Sequence, residues 1–341
     1  TLKAPVAAFS ARPATGIAPL KVAFTDKSTG IHNSWKWSFG DGTYSKEKNP
    51  VHKYTKAGNY TVSLTVSNSN GTDSKFATVN VVPKGSPAPS YAYVTNFNSN
   101  TVTVINTVND SFTDTVPVGK KPMGVAVSPD GTRVYVTNAN YGDSGTLSVI
   151  DKAKSEVTAT INVGYKYSPC GIAVTPDGKK LYVADRDINS ISIIDTTTNT
   201  VTATVPAGVS PLGVAVTPDG KRAYVTNRYS NNVSIIDTST NNITATVKVG
   251  LGPCGITFNR AGTEIYVTNC ESNTVSIIDT ATNRVTATVP VGKWPMGIAV
   301  TPDGTKVYVA NEGSNNVSAI DTVTNNVTAT VPVGKKPYGI A

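Results

Sequence analysis

The chain has 341 residues, 39% of them hydrophobic, which is enough for about two domains with ordinary packed cores. No apolar run approaches the roughly 20 residues of a membrane helix, and three cysteines without a CxxC argue against both a disulfide framework and a thiolate zinc site. The formal charge of +8 is concentrated in residues 1–84, where 11 Lys/Arg stand against 4 Asp/Glu, while the remainder is nearly balanced.

Thr, Val, Asn, Ser and Gly dominate, and helix-favouring runs are missing, which is an all-β signature. "TLKAPVAAFS" lacks the apolar core of a cleavable signal, so it reads as the start of a mature or excised chain. The first strands then alternate: "LKVAFTD", "SWKWSFG", "NYTVSLTVSN" and "KFATVNVV". In the third, Tyr60, Val62, Leu64 and Val66 fall on one face and Thr61, Ser63 and Thr65 on the other. Short strands separated by turn signals over 84 residues predict a small β-sandwich. Trp37 and Phe39 point into its core, and Gly40-Asp41-Gly42 turns the chain. "WSFGDG" followed by "HKYTKAGNYTVSLTVSNSNG" resembles the PKD domain, an immunoglobulin-like module of extracellular proteins. That resemblance implies a spacer or adhesion unit rather than a catalyst.

A Pro-rich connector, residues 85–90, separates this sandwich (1–84) from a repetitive segment, residues 91–341. Tyr-Val-Thr-Asn or a close variant begins at Tyr93, Tyr135, Tyr182, Tyr224, Tyr266 and Tyr308, at intervals of 42, 47, 42, 42 and 42 residues. Four strand-like phrases per unit at that period predict β-propeller blades. In one unit, "MGIAVTPDG" holds strand A, "TKVYVANEG" B, "NNVSAIDT" C and "NNVTATVPVG" D, with Pro-Asp-Gly turning A into B. The glycine of Pro-x-Gly suits the innermost strand, where large side chains cannot fit. These units resemble the YVTN-repeat propellers of surface-layer proteins from methanogenic archaea. Members of that family are generally described with seven blades, whereas six units are counted here.

The last unit stops at "PYGIA", a strand A without its blade, and the first unit, "SYAYVTNFNSNTVTVINT", lacks strand A. Joining the two predicts a six-bladed ring closed by pairing of the C-terminal strand with the first blade, leaving no unpaired inner edge. The alternative is donation of Tyr338–Ala341 to a neighbouring molecule, which would build a fibre subunit.

Catalysis finds little support. His32 and His52, both in the sandwich, are the only histidines. Nine aspartates sit at repeated turns: Asp130, Asp177, Asp219 and Asp303 in Pro-Asp-Gly, and Asp151, Asp195, Asp237, Asp279 and Asp321 at the end of strand C. Such positions suit local capping hydrogen bonds. "DRDIN", Asp185 to Asn189, is too short for a calcium loop and reads as a solvated turn. No catalytic, cofactor or metal residues are therefore assigned, and the expectation is a chain that is not an enzyme.

Comparison between units locates the variable positions. The A–B and C–D turns hardly change, while the D–A and B–C connections vary, and in a propeller those lie together on one face. The candidate binding face comprises Lys120, Lys121, Tyr141, Tyr165, Lys166, Tyr167, Arg228, Tyr229, Lys293, Trp294, Lys335, Lys336 and Tyr338. Exposed aromatics beside cations suit protein or carbohydrate contacts. The basic sandwich, with Lys3, Lys21, Lys27, Lys36, Lys46, Lys48, Lys53 and Lys56, suits an acidic polymer. It lacks the stacking aromatics expected for nucleic acid. Asn59, Asn70, Asn109, Asn232, Asn242, Asn316 and Asn326 stand in glycosylation sequons. Cys254 and Cys270 are expected to lie close enough for a disulfide, with Phe258 opposite Tyr266, while Cys170 stays a free thiol facing Arg186.

The resulting expectation is a non-enzymatic secreted or cell-envelope protein acting in adhesion or surface-layer assembly. Its partners would be other surface proteins or glycans, with no nucleic acid and no membrane-spanning segment. The rival classes are a carbohydrate-binding protein and a glycan-active lyase or hydrolase on the same scaffold.

Overall fold

A computed structural model describes residues 3–84, 90–107, 111–140, 144–165 and 168–340. The chain divides into two compact units, Thr1–Tyr93 with Thr103–Val116 and Ala153–Ser155, and Val94–Val102 with Pro117–Lys152 and Glu156–Ala341. Of the connector at 85–90, residues 85–89 lie outside the described residues.

The first unit contains the sandwich. One sheet orders the strands Phe9–Arg12, Leu20–Asp26 and Val51–Tyr54, and the other Thr15–Ile17, Gly71–Val82, Gly58–Asn68, Ser34–Ser38 and Tyr44–Ser45. The period-2 pattern decides which residues enter the core: Val62, Leu64 and Val66 are fully buried with Val22, Phe24 and Trp37. Trp37 satisfies its indole N–H on the Glu47 carbonyl at 2.9 Å, and the Tyr54 hydroxyl donates to the Phe39 carbonyl at 2.9 Å. Gly40 has φ +81°, and a Cβ there would stand 2.6 Å from the Thr61 carbonyl oxygen, so a side chain is excluded twice over.

Among the described residues the repeats form six consecutive sheets. The first has three strands: Tyr91–Asn96, Thr101–Asn106 and Ser111–Pro117. The other five have four strands each, in sequence order A to D, and their A strands are Pro122–Val127, Pro169–Val174, Pro211–Val216, Pro253–Phe258 and Pro295–Val300. Neighbouring sheets bury their facing residues together. Between the second and third sheets, Tyr135, Leu147 and Ile161 pack with Ile172, Leu181 and Ile194.

Residues 337–340 form no strand, so the expected ladder to the first sheet is not formed among the described residues. The Tyr338 carbonyl instead accepts the Gly297 N–H at 2.8 Å. It thereby occupies, beside the sixth sheet, the position that each following A strand occupies beside the earlier sheets.

Candidate functional site

The recurring Tyr-Val-Thr-Asn phrase is a stapling device. Thr137 Oγ1 accepts the Gly124 N–H of its own sheet at 2.8 Å and donates to the Cys170 carbonyl of the next at 2.7 Å. Thr226 and Thr268 repeat the arrangement toward Cys254 and Met296, and Thr95 donates to Met123. The asparagine works within its sheet, where the amides of Asn138, Asn227, Asn269 and Asn311 donate to Ser148, Ser234, Ser276 and Ser318 on strand C. Arg133, Lys180 and Arg222 reach across to the Thr196, Thr238 and Thr280 carbonyls of the next C–D turn.

The third sheet departs from this plan, reading Tyr182-Val183-Ala184-Asp185. Asp185 is fully buried, not solvated as its turn context suggested. It accepts the Ser192 hydroxyl, but its second oxygen, and the Ser190 hydroxyl opposite it in the register, have no partner among the described residues. Burial pushes its pKa up to about 7, against the hydrogen bond from Ser192. Sequence reading missed this residue, although a carboxyl in a slot otherwise held by an internal amide was the available signal.

The rest of "DRDIN" is committed to local bonds. Asp187 accepts from Ser168 and Arg186, and Asn189 Oδ1 accepts the Ser210 N–H at 2.8 Å. Among the described residues no group of three or more His, Cys, Asp or Glu is placed to hold a metal ion. The turn carboxylates are likewise occupied: Asp177 accepts Thr175 Oγ1 and the Lys179 N–H, and Asp237 accepts the Ser239 and Thr240 N–H groups. A cleft between the second and third sheets is lined by Asp130, Arg133, Tyr135, Asp177 and Thr196. Its two carboxylates belong to those turns, and its arginine to the Thr196 carbonyl.

The D–A and B–C connections meet on one face, as the repeat comparison predicts. Backbone bonds join Tyr229 to Val209, Glu271 to Leu251, and Gly313 to Lys293. On this face the Arg228 guanidinium lies 5.5 Å from the Tyr229 ring and 5.9 Å from the Trp294 ring, with Nε 3.4 Å from Glu271. Trp294 is 48% and Tyr229 63% exposed, and the exposed Val209 and Leu251, not singled out from sequence, extend the patch. Lys121 belongs to a separate cluster, 4.6 Å over the Phe97 ring and bonded to Asn98. Lys120, Lys293, Lys335, Lys336 and Tyr338 are exposed. Tyr141, Lys166 and Tyr167 lie outside the described residues, as does the side chain of Tyr165.

Trp294 also has φ +52°, a backbone region that bulky residues avoid. Its N–H is held there by the Asn273 side chain at 3.0 Å, and Lys121, Ser210, Gly252 and Lys336 are held in the same way.

The fifth sheet departs from its expected register but brings its two cysteines together as expected. Phe258 pairs with Ile265 and Tyr266 with Thr257, one residue from the expected register, because the turn closes on the Asn259 N–H to Glu264 carbonyl bond. A bulge between Pro253 and Ile256 nevertheless brings the Cys254 and Cys270 sulfurs to 3.1 Å, as free thiols. Cys170, a third buried free thiol, contacts Met123 Sδ at 3.7 Å. Among the sequons, Asn59, Asn70, Asn242 and Asn326 are exposed. Asn232 and Asn316 are half-buried and accept the Asn227 and Asn311 amides, and Asn109 lies outside the described residues.

On the sandwich all eight singled-out lysines are exposed, and Lys21 stands directly opposite Lys53. Like charges in that relation destabilise a sheet. The expected outcome is that the full chain binds a sulfated polysaccharide in low salt and releases it as salt rises. The double variant Lys21→Gln/Lys53→Gln should bind several-fold more weakly. Binding that survives high salt unchanged would show that charge is not the cause.

The architecture is that of a PKD-bearing β-propeller protein. Residues 2–82 match the PKD domain, 256–341 the YNCE-like β-propeller, and 121–294, just over half of the chain, the choice-of-anchor I domain. The chain belongs to the choice-of-anchor I domain family. It is 33% identical over 150 residues to Collagenase ColA of Bacillus cereus, covering 43% of this chain and 14% of the collagenase. It is 37% identical over 93 residues to the pre-pro-metalloprotease PrtV of Vibrio cholerae, covering 27% and 10% of the two chains. The chain thus spans only a small part of these curated relatives. Among solved structures, Kuenenia stuttgartiensis hydrazine synthase is similar with TM-score 0.65 and 25% identity over 73% of this chain and 85% of that one. A functionally unknown protein from Desulfotomaculum acetoxidans shares the fold, with TM-score 0.62 and 15% identity over 94% and 95%.

Proposed function

We propose that this is a non-enzymatic extracellular or cell-envelope protein that works in adhesion or surface-layer assembly through its variable loop face. A PKD domain joined to a propeller fits an extracellular, non-catalytic protein. The collagenase and metalloprotease relatives agree with that setting. Among the described residues no helix is long and apolar enough to cross a membrane. The surface-layer role rests on the resemblance of the YVTN units alone.

The observation that carries the reading is Trp294, which is large, exposed, beside a guanidinium, and fixed in a backbone region that costs a non-glycine residue about 1–2 kcal/mol. The same backbone conformation recurs at Lys121, Ser210, Gly252 and Lys336, so what sets Trp294 apart is a large exposed ring where the other units carry Lys, Ser or Gly. Trp294→Gly separates the two roles. It should leave stability unchanged or higher, while weakening self-association in sedimentation, or binding to a panel of envelope polysaccharides, by about tenfold or more. A variant that loses stability and keeps its binding would make Trp294 structural and defeat the reading. A loss confined to polysaccharides would favour the carbohydrate-binding alternative, for which a planar aromatic beside a cation is the supporting observation.

A further inference from the structure

The fifth sheet differs from its sisters at two positions that face each other. Where it has Cys254, the second, third, fourth and sixth sheets have Met123, Cys170, Leu212 and Met296. Where it has Cys270, they have Ala139, Arg186, Arg228 and Glu312. Only this sheet therefore places two thiols together. Cys254 is the second residue of the A strand, within the irregularity between Pro253 and Ile256, and Cys270 follows the B strand. The Cys254 thiol donates to Cys270 Sγ at 3.1 Å.

Among the described residues no third His, Cys, Asp or Glu joins the pair to make a metal site. At 3.1 Å the sulfurs need to approach by about 1 Å to bond to each other. The surroundings are closed. Cys270 is fully buried, and Gly252, with φ +66°, lies so near that a Cβ there would touch Cys270 Sγ at 3.1 Å. The hydrogen bond from Cys254 lowers the Cys270 pKa against the opposing effect of burial, and the Arg228 charge works in the same direction.

We propose that Cys254 and Cys270 are a redox site that closes into a disulfide, fastening the start of the A strand of the fifth sheet to the end of its B strand. The co-reactant is a low-molecular-weight disulfide. Before the seam closes over it during folding, the Cys270 thiolate attacks one of its sulfurs, forming a mixed disulfide and releasing one thiol that takes up the proton. The Cys254 thiolate then attacks Cys270 Sγ and releases the second thiol. Two electrons and two protons pass from the protein to the oxidant, and one disulfide replaces another. The proposal is independent of the adhesion reading, since it concerns a closed seam and not the exposed face.

The test uses the full chain, exposed to oxidised glutathione both while folded and during refolding from denaturant. It is then unfolded and alkylated without reductant. One of the three thiols should react, intact mass should fall by about 2 Da before alkylation, and peptide mapping should join Cys254 to Cys270. The oxidised protein should melt a few degrees higher than the reduced one. Cys254→Ser and Cys270→Ala should each abolish the intramolecular bond, whereas Cys170→Ser should keep it and leave no reactive thiol. Three reactive thiols after both treatments, or a bond that includes Cys170, would overturn the proposal.

Discussion

Asp185→Asn should make the protein more stable above neutral pH and leave it almost unchanged near pH 4. In the unfolded chain the carboxyl titrates near 3.8, whereas burial raises it to about 7 in the folded state. Between those values the unfolded chain releases a proton that the folded one retains, so stability falls as pH rises through that window. Above about pH 7 both forms are ionised and the penalty is constant, at about 4 kcal/mol for a shift of this size. When protonated, the carboxyl can donate to Ser190 Oγ, standing in for the amides that bond Asn232 and Thr274 in the sister sheets. Asparagine supplies that donor at every pH. Urea unfolding of both proteins from pH 4 to 9 decides the matter, and parallel profiles would mean that Asp185 is ionised and solvated after all.

Gly171→Ala should cost at least about 3 kcal/mol, the upper range for overpacking a tight core. A Cβ at Gly171 would stand 2.1 Å from the Leu212 carbonyl oxygen of the next A strand, with backbone on both sides of the clash. At Gly297 the corresponding oxygen belongs to Tyr338, 2.6 Å away, in a segment outside any strand. Gly297→Ala should therefore cost less, because that segment can move. Removing Lys335–Ala341 should lower the melting temperature and abolish the remaining effect of Gly297→Ala. An intact melting temperature after truncation would show that this segment does not support the sixth sheet. Filaments formed by the intact chain and lost on truncation would favour strand donation between molecules.

The sheets were legible because a 42-residue period with Pro-Asp-Gly turns leaves few alternatives, and the sandwich because its alternation is clean. The meeting of the D–A and B–C connections was legible too, since these vary from unit to unit while the turns do not. Three things were hidden for separate reasons. The register of the fifth sheet depends on where its turn closes, on the Asn259 N–H to Glu264 carbonyl bond, which composition does not reveal. The burial of Asp185 depends on what the third sheet packs against, so a loop-like neighbourhood misled. The Arg228–Glu271–Trp294 arrangement joins three connections far apart in sequence and needs the fold before it can be seen.

The threonine hydroxyl that leads from one sheet to the next is missing in two places, where Ala184 and Ala310 replace it. The links from the first sheet to the second, second to third, fourth to fifth and fifth to sixth are present. The link from the third to the fourth is not. In an array coupled mainly through nearest neighbours, cooperativity ends at the weakest junction. The Lys180 and Tyr182 bonds to Thr238 and Asn241 and a shared apolar core still cross that junction, so the sheets stand like a row of dominoes with one wider gap, and a disturbance should slow at the seam between Ala184 and Leu212. Amide exchange in native conditions would display that boundary as two blocks with separate opening energies.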